Sequence, residues 1–177
     1  MGSSRQPAET PQRVPGPGAK RGLGRANAWR IISTAVASSP VLVRALIRPT
    51  VSRALREKLM LEVSAVNDCR YCQWGHTYLA VSQGVPLEEI NQIFGYQNEA
   101  LRARDAAEAA AILFAQHYAE RLEEYDPAAM VDLRQYYSQA QCTEILAYLR
   151  AITLGNLTGN TLDVIVGHWS PRRRARR

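Results

Sequence analysis

Residues 55–84 read LREKLMLEVSAVNDCRYCQWGHTYLAVSQG. Leu55, Leu59, Val63 and Val66 recur at steps of three and four, which lines them along one face of a helix. That helix should start near Val51 or Ser52 and end at Val66. Asn67 or Asp68 then supplies an N-cap, so a second helix is expected from about Cys69 to Gln83, where Gly84 stops it. The junction carries a Cys-x-x-Cys-x-x-x-His run made of Cys69, Cys72 and His76.

On both sides of this stretch the apolar residues keep a helical period, and the punctuation consists of helix caps rather than hairpin turns. The expected fold is all-α, a bundle of about six to eight helices. Upstream, a helix should span Ile31 to Ile47, interrupted near Pro40 and closed by Pro49. Downstream, Pro86 opens a short helix whose apolar face is Leu87, Ile90 and Ile93, with Glu88 and Glu89 suited to its positive N-terminal dipole. An Ala-rich helix is expected from Leu101 to Glu124, and another from Pro127 to Tyr137. Ser138 and Gln141 have the spacing of a capping box for a helix reaching Leu154. Gly155 and Gly159 leave the join to a last segment, ending at Gly167, undetermined.

The chain of 177 residues, 46% apolar, is enough for one core. Its net charge of +6 is concentrated at the ends: residues 1–28 hold five Lys/Arg against one Glu, and residues 171–177 hold five Arg, which leaves residues 29–170 at −3. Residues 1–28 are rich in Pro and Gly and poor in bulky apolar side chains, so this basic tail should be disordered. The domain is expected at 29–170, followed by an Arg-rich tail at 171–177. A basic stripe interleaved with aromatics is missing from the body, which argues against specific nucleic-acid binding. The apolar run Ile31 to Val43 is short and contains Pro40, so membrane insertion is not expected. Three cysteines, one of them odd, suit a redox pair in a reducing, cytoplasmic compartment better than an extracellular disulfide framework.

The cluster admits either redox chemistry or metal binding. Two sulfurs three residues apart are close enough to bridge. At a helix start, unpaired backbone amides favour thiolate, and His76 lies one turn beyond Cys72, within reach of its proton. A structural zinc site needs four ligands, so Cys142 or His117 would have to join from a distant helix. An inert buried pair is the third alternative. A carboxylate would complete a proton path, and the preceding helix offers Glu57 and Glu62. Glu57, twelve residues before Cys69, is the stronger candidate, although a solvated carboxylate paired with Arg53 or Lys58 is the plainer reading. Trp74 and Tyr78 are expected to pack in the core. Cys142 should be a small packing residue, and Asn156 and Asn160, one turn apart, should be buried and hydrogen-bonded across an interface.

Glu57, eleven residues, Cys69-x-Tyr71-Cys72, three residues and His76, followed by Gly84-Val85-Pro86, together resemble the signature of the carboxymuconolactone decarboxylase family in its alkyl hydroperoxidase D-like branch. The resemblance extends over about residues 40–167. It implies an alkyl hydroperoxidase D-like helical bundle, assembled as a homo-oligomer, often trimeric or hexameric. The implied activity is a peroxidase that reduces alkyl hydroperoxides through the cysteine pair, with Cys72 attacking, Cys69 resolving, and His76 with Glu57 as proton relay. An external dithiol or protein reductant would return the electrons, with no bound cofactor or metal. Tyr71 departs from alkyl hydroperoxidase D itself, which has histidine there, and a tyrosine is a poor base near neutral pH. Within the same fold the alternative is a lactone-type decarboxylase, whose cysteine-free pattern differs from this chain. In another class stands a helical thiol redox-sensing or binding module that uses the basic tails.

Overall fold

A computed structural model describes residues 21–95, 105–122 and 124–169. Eight helices and no strand occur among the described residues: α1 (Arg25–Ala37), α2 (Ser39–Ile47), α3 (Arg53–Val66), α4 (Arg70–Ser82), α5 (Leu87–Phe94), α6 (Ala106–Glu120), α7 (Pro127–Arg134) and α8 (Gln139–Trp169). The all-α expectation holds. No single helix there is long and apolar enough to cross a membrane; α1 and α2 meet that length and composition only as a pair bent by 41°.

Helix α3 is the axis of the bundle and packs against α4, α5, α6 and α8. Its sequence explains why. Leu55, Leu59, Val63 and Val66 are all buried as the stripe requires, but so are Leu61 and Ala65 on its other flanks. A helix covered on several sides must also bury polar side chains, and these are then paired across neighbours. Lys58 is the clearest case: its Nζ reaches Glu89 Oε2 of α5 at 2.7 Å and Glu108 Oε1 of α6 at 2.6 Å. Contacts between α3 and α8 advance together, from Val51 with Glu144 to Ser64 with Asn156 and Asn67 with Asn160. The two helices therefore run side by side in the same direction.

Several boundaries differ from the sequence reading. The first expected helix is two, broken at Ser38, and Pro40 lies inside the first turn of α2, where its missing N–H costs nothing. α1 starts at Arg25, ahead of the expected Ile31, and Leu23 N already donates to Thr161 Oγ1 of α8 at 2.8 Å. The Ala-rich helix begins at Ala106, capped by the Asp105 carboxylate, and ends at Glu120; residues 101–104 lie outside the described residues. Leu87 is exposed, and Phe94 joins Ile90 and Ile93 on the buried face of α5. The Ser138–Gln141 capping box is present, with Ser138 N donating to Gln141 Oε1 at 2.9 Å and Gln141 N to Ser138 Oγ at 3.4 Å. From there α8 continues through Gly155 and Gly159 as one helix. Burial of Ile152, Asn156, Leu157 and Asn160 along it outweighs the weak helix preference of two glycines.

Candidate functional site

The turn between α3 and α4 is built by a specific helix stop. Asp68 N donates to Ala65 O and Cys69 N to Ser64 O, both at 3.1 Å, while Asp68 adopts φ +50°. This is the Schellman pattern, with Asp68 at the left-handed position usually taken by glycine. Neither Asn67 nor Asp68 is the N-cap of α4, as the sequence suggested. Asn67 closes α3 and Cys69 itself is the N-cap of α4. Cys72 becomes the third residue of α4, in the turn whose amides lack intrahelical partners and favour negative charge.

Cys69 and Cys72 are joined as a disulfide, with Cα atoms 5.3 Å apart. Cys69 is fully buried, and Cys72 is partly exposed. An incoming oxidant or reductant therefore meets Cys72 first. A Cβ placed on Gly159 of α8 would come within van der Waals distance of Cys69 Sγ, at 3.5 Å, so α8 passes close to the buried sulfur.

His76 follows Cys72 by one turn, and its Nδ1 lies 2.7 Å from Glu57 Oε2. Glu57 is 1% exposed, so the solvated reading of this carboxylate is replaced by a buried one. Its other oxygen, Oε1, accepts from Arg56 Nε at 2.8 Å and lies 2.6 Å from Arg56 Nη2. Burial alone would raise the Glu57 pKa, but hydrogen bonds from His76 and Arg56, with their charges, more than offset it and hold the carboxyl below its usual range. A carboxylate accepting from Nδ1–H leaves Nε2 of the imidazole as the atom that takes a proton. Backed in this way, His76 is equipped to deprotonate the thiol one turn earlier on its own helix.

Polar side chains steady the turn from below. Ser64 O accepts from both Cys69 N and Gln73 Nε2, the latter at 3.0 Å. Asn160 Nδ2 donates to Asn67 O at 2.7 Å and to Arg21 O at 2.9 Å, and Asn156 Oδ1 accepts from Ser64 Oγ at 3.2 Å. Asn156 and Asn160 are thus buried as expected, and these bonds lie within one chain. Gln73, Ser64 and Arg56 were not singled out from the sequence, where no spacing distinguishes them from ordinary helix residues.

The remaining candidates fall elsewhere. Cys142 is buried at the start of α8 with its thiol near Tyr137 O, remote in sequence and fold from the disulfide. His117 Nε2 accepts from Asp126 N at 3.2 Å and closes the loop between α6 and α7. Neither joins the two bonded sulfurs as a zinc ligand. Trp74 and Tyr78 are 78% and 72% exposed, contrary to their expected core role, and Tyr71 is exposed beside them. Positions 71, 74 and 78 fall on the face of α4 opposite Cys69, Gln73 and Ala80, because steps of three and four keep a helix face together.

Among known families, the model described as the Carboxymuconolactone decarboxylase family matches residues 42–117, a span that contains Glu57, Cys69, Cys72 and His76. No curated protein and no solved structure matches the chain.

Proposed function

Residues 42–117 belong to the carboxymuconolactone decarboxylase family, and on that premise we propose that the protein is a dithiol peroxidase of the alkyl hydroperoxidase D-like branch. The observation that carries this reading is the conjunction of a bonded Cys69–Cys72 pair with a buried Glu57–His76 couple on the adjoining helices. In the reduced enzyme His76 Nε2 takes the Cys72 proton, and the thiolate attacks the terminal oxygen of a hydroperoxide. The O–O bond breaks, the alkoxide leaves with a proton returned by His76, and Cys72 becomes a sulfenic acid. Cys69 then attacks the Cys72 sulfur, forming the S–S bond and releasing the oxygen as water. Two electrons from an external dithiol reopen the disulfide at the partly exposed Cys72.

Partial exposure of Cys72 and complete burial of Cys69 support these assignments of attacking and resolving thiol. The reading includes a cytoplasmic setting, where reducing dithiols are maintained. It also includes a homo-oligomer, trimeric or hexameric, supported by the exposed aromatic face of α4; light scattering on the purified protein reads this directly, and a monomer at micromolar concentration counts against it. The activity is tested by following organic hydroperoxide consumption with a dithiol reductant. Turnover should be lost in Cys72→Ser and Cys69→Ser and kept in Cys142→Ser. Undiminished consumption in Cys72→Ser would sink the assignment.

A further inference from the structure

Glu57 has a second neighbour whose placement is unusual. Arg56 and Glu57 are consecutive residues of α3, and side chains at i and i+1 of a helix normally point about 100° apart and do not meet. Here the Arg56 side chain folds back, so that Nε and Nη2 both engage Glu57 Oε1, at 2.8 and 2.6 Å. What holds it there comes from α8. The guanidinium lies over the ring of Tyr148, 6.0 Å from the centroid, a cation–π arrangement. Tyr148 is itself fixed, since its hydroxyl donates to Glu144 Oε1 at 2.8 Å. Glu144 is fully buried and also accepts from Thr50 N, Thr50 Oγ1 and Val51 N.

A line of contacts thus runs from the site into the bundle: His76, Glu57, Arg56, Tyr148, Glu144 and the loop before α3. Each oxygen of Glu57 has one job, with Oε2 on His76 and Oε1 on Arg56. We propose that Arg56 is a positioning residue for the relay, braced by Tyr148 and Glu144 so that Glu57 keeps Oε2 turned to His76 Nδ1. The inference rests on the dithiol reading of the site, but it concerns how the thiol is activated and not which oxidant it meets.

The charged groups around this line divide cleanly. From α4, His76 faces Glu57; from α8, Tyr148 faces Arg56, and Glu144 faces Tyr148 and the Thr50–Val51 backbone. On the far side of α3, Glu89 of α5 and Glu108 of α6 are taken by Lys58. Burial raises the Glu144 pKa, and its bonds from Thr50, Tyr148 and Val51 outweigh this, leaving it an anion. Burial and the Glu144 carboxylate push the Tyr148 phenol up, so it remains a neutral donor.

A role in positioning has a signed consequence. Without Arg56, Glu57 is free to rotate or take up a proton, the His76 imidazolium loses its support, and the Cys72 thiolate becomes harder to form. Loss of a remote positive charge acting on the imidazolium alone would make that ion pair easier to form. The test uses full-length Cys69→Ser/Cys142→Ser protein, in which Cys72 is the sole thiol, and measures its alkylation rate by iodoacetamide as a function of pH. Adding Arg56→Gln should move the midpoint to higher pH by about one unit, which is about a tenfold slower reaction on the acid side of the midpoint. Arg56→Lys, which keeps the charge without the planar fork, should shift it in the same direction by less. A midpoint that is unchanged or falls in folded Arg56→Gln overturns the proposal, and if that variant does not fold, an unchanged or lowered midpoint in Arg56→Lys overturns it. Because alkylation needs no peroxide, a wild-type protein that fails to reduce hydroperoxides would refute the peroxidase reading without touching this result.

Discussion

Replacing Glu62 with glutamine should flatten part of the pH dependence of folding. Glu57 and Glu62 are both buried on α3, but their surroundings drive them apart. Neither oxygen of Glu62 has a hydrogen-bond partner, and burial, with a smaller contribution from the charge of Glu120, pushes its pKa up to about 8. In the unfolded chain the same carboxyl titrates near 4.5. Between these values the native state retains a proton that the unfolded state releases, so stability is fully present below the lower value and falls as pH rises toward the upper one. At about 1.4 kcal/mol per unit, the loss between about pH 5.5 and about pH 8 is roughly 3 kcal/mol. Glutamine has no proton to release. Urea unfolding of the oxidised protein, followed by circular dichroism at both pH values, should show Glu62→Gln gaining roughly 3 kcal/mol on wild type between the two. Parallel pH dependences in the two proteins would mean that Glu62 does not hold its proton in the folded state. Glu57 has the opposite sign: its lowered pKa gives stability that is present above about pH 4.5 and is lost as pH falls through the folded-state value.

Other outcomes follow from single contacts. Asn160→Ala leaves Asn67 O and Arg21 O without their donor and should cost about 1–3 kcal/mol in denaturant unfolding; a change within error would mean that the side chain does not steady the turn. Gly155 is exposed inside α8, and a Cβ added there would meet nothing within 4 Å, so Gly155→Ala should stabilise by about 0.5–1 kcal/mol, and a lower melting temperature would count against a continuous helix at this point. Asp68→Gly relieves a non-glycine residue of φ +50° at the α3 stop. It should be neutral or mildly stabilising by up to about 1 kcal/mol, and a loss larger than that would show that the Asp68 side chain is itself needed.

The helices with strong local signals were legible in the sequence. α3 announced itself through a stripe that repeats at helical steps, and the Ser138–Gln141 box marked the start of α8. The join at Gly155 and Gly159 was not legible, because there propensity and burial disagree and burial is set by α3 lying alongside. At the site, Cys69, Cys72 and His76 stand within one short run, so their proximity is a matter of helix geometry. The meeting of Glu57 with His76 depends instead on how two helices fold back across the Asp68 turn, and the family signature carried that expectation where the residues themselves allowed a solvated carboxylate. Arg56 gave no sign at all. A helical neighbour of Glu57 would ordinarily point away, and only Tyr148, far along the chain, turns it inward. Trp74 and Tyr78 misled for the converse reason: large aromatic rings are usually buried, yet their positions on α4 place them opposite its buried face.

Dithiol peroxidase chemistry is tested most directly by a single-turnover titration. Fully reduced protein, with its three thiols, is mixed with one equivalent of an organic hydroperoxide, and thiols, alcohol product and intact mass are determined together. The expected result is one alcohol formed per chain, two thiols lost at Cys69 and Cys72, a mass lower by two hydrogens, and Cys142 still free. Hydroperoxide left intact with three thiols remaining, or oxidation that adds oxygen to Cys72 without closing the Cys69–Cys72 bond, would contradict it.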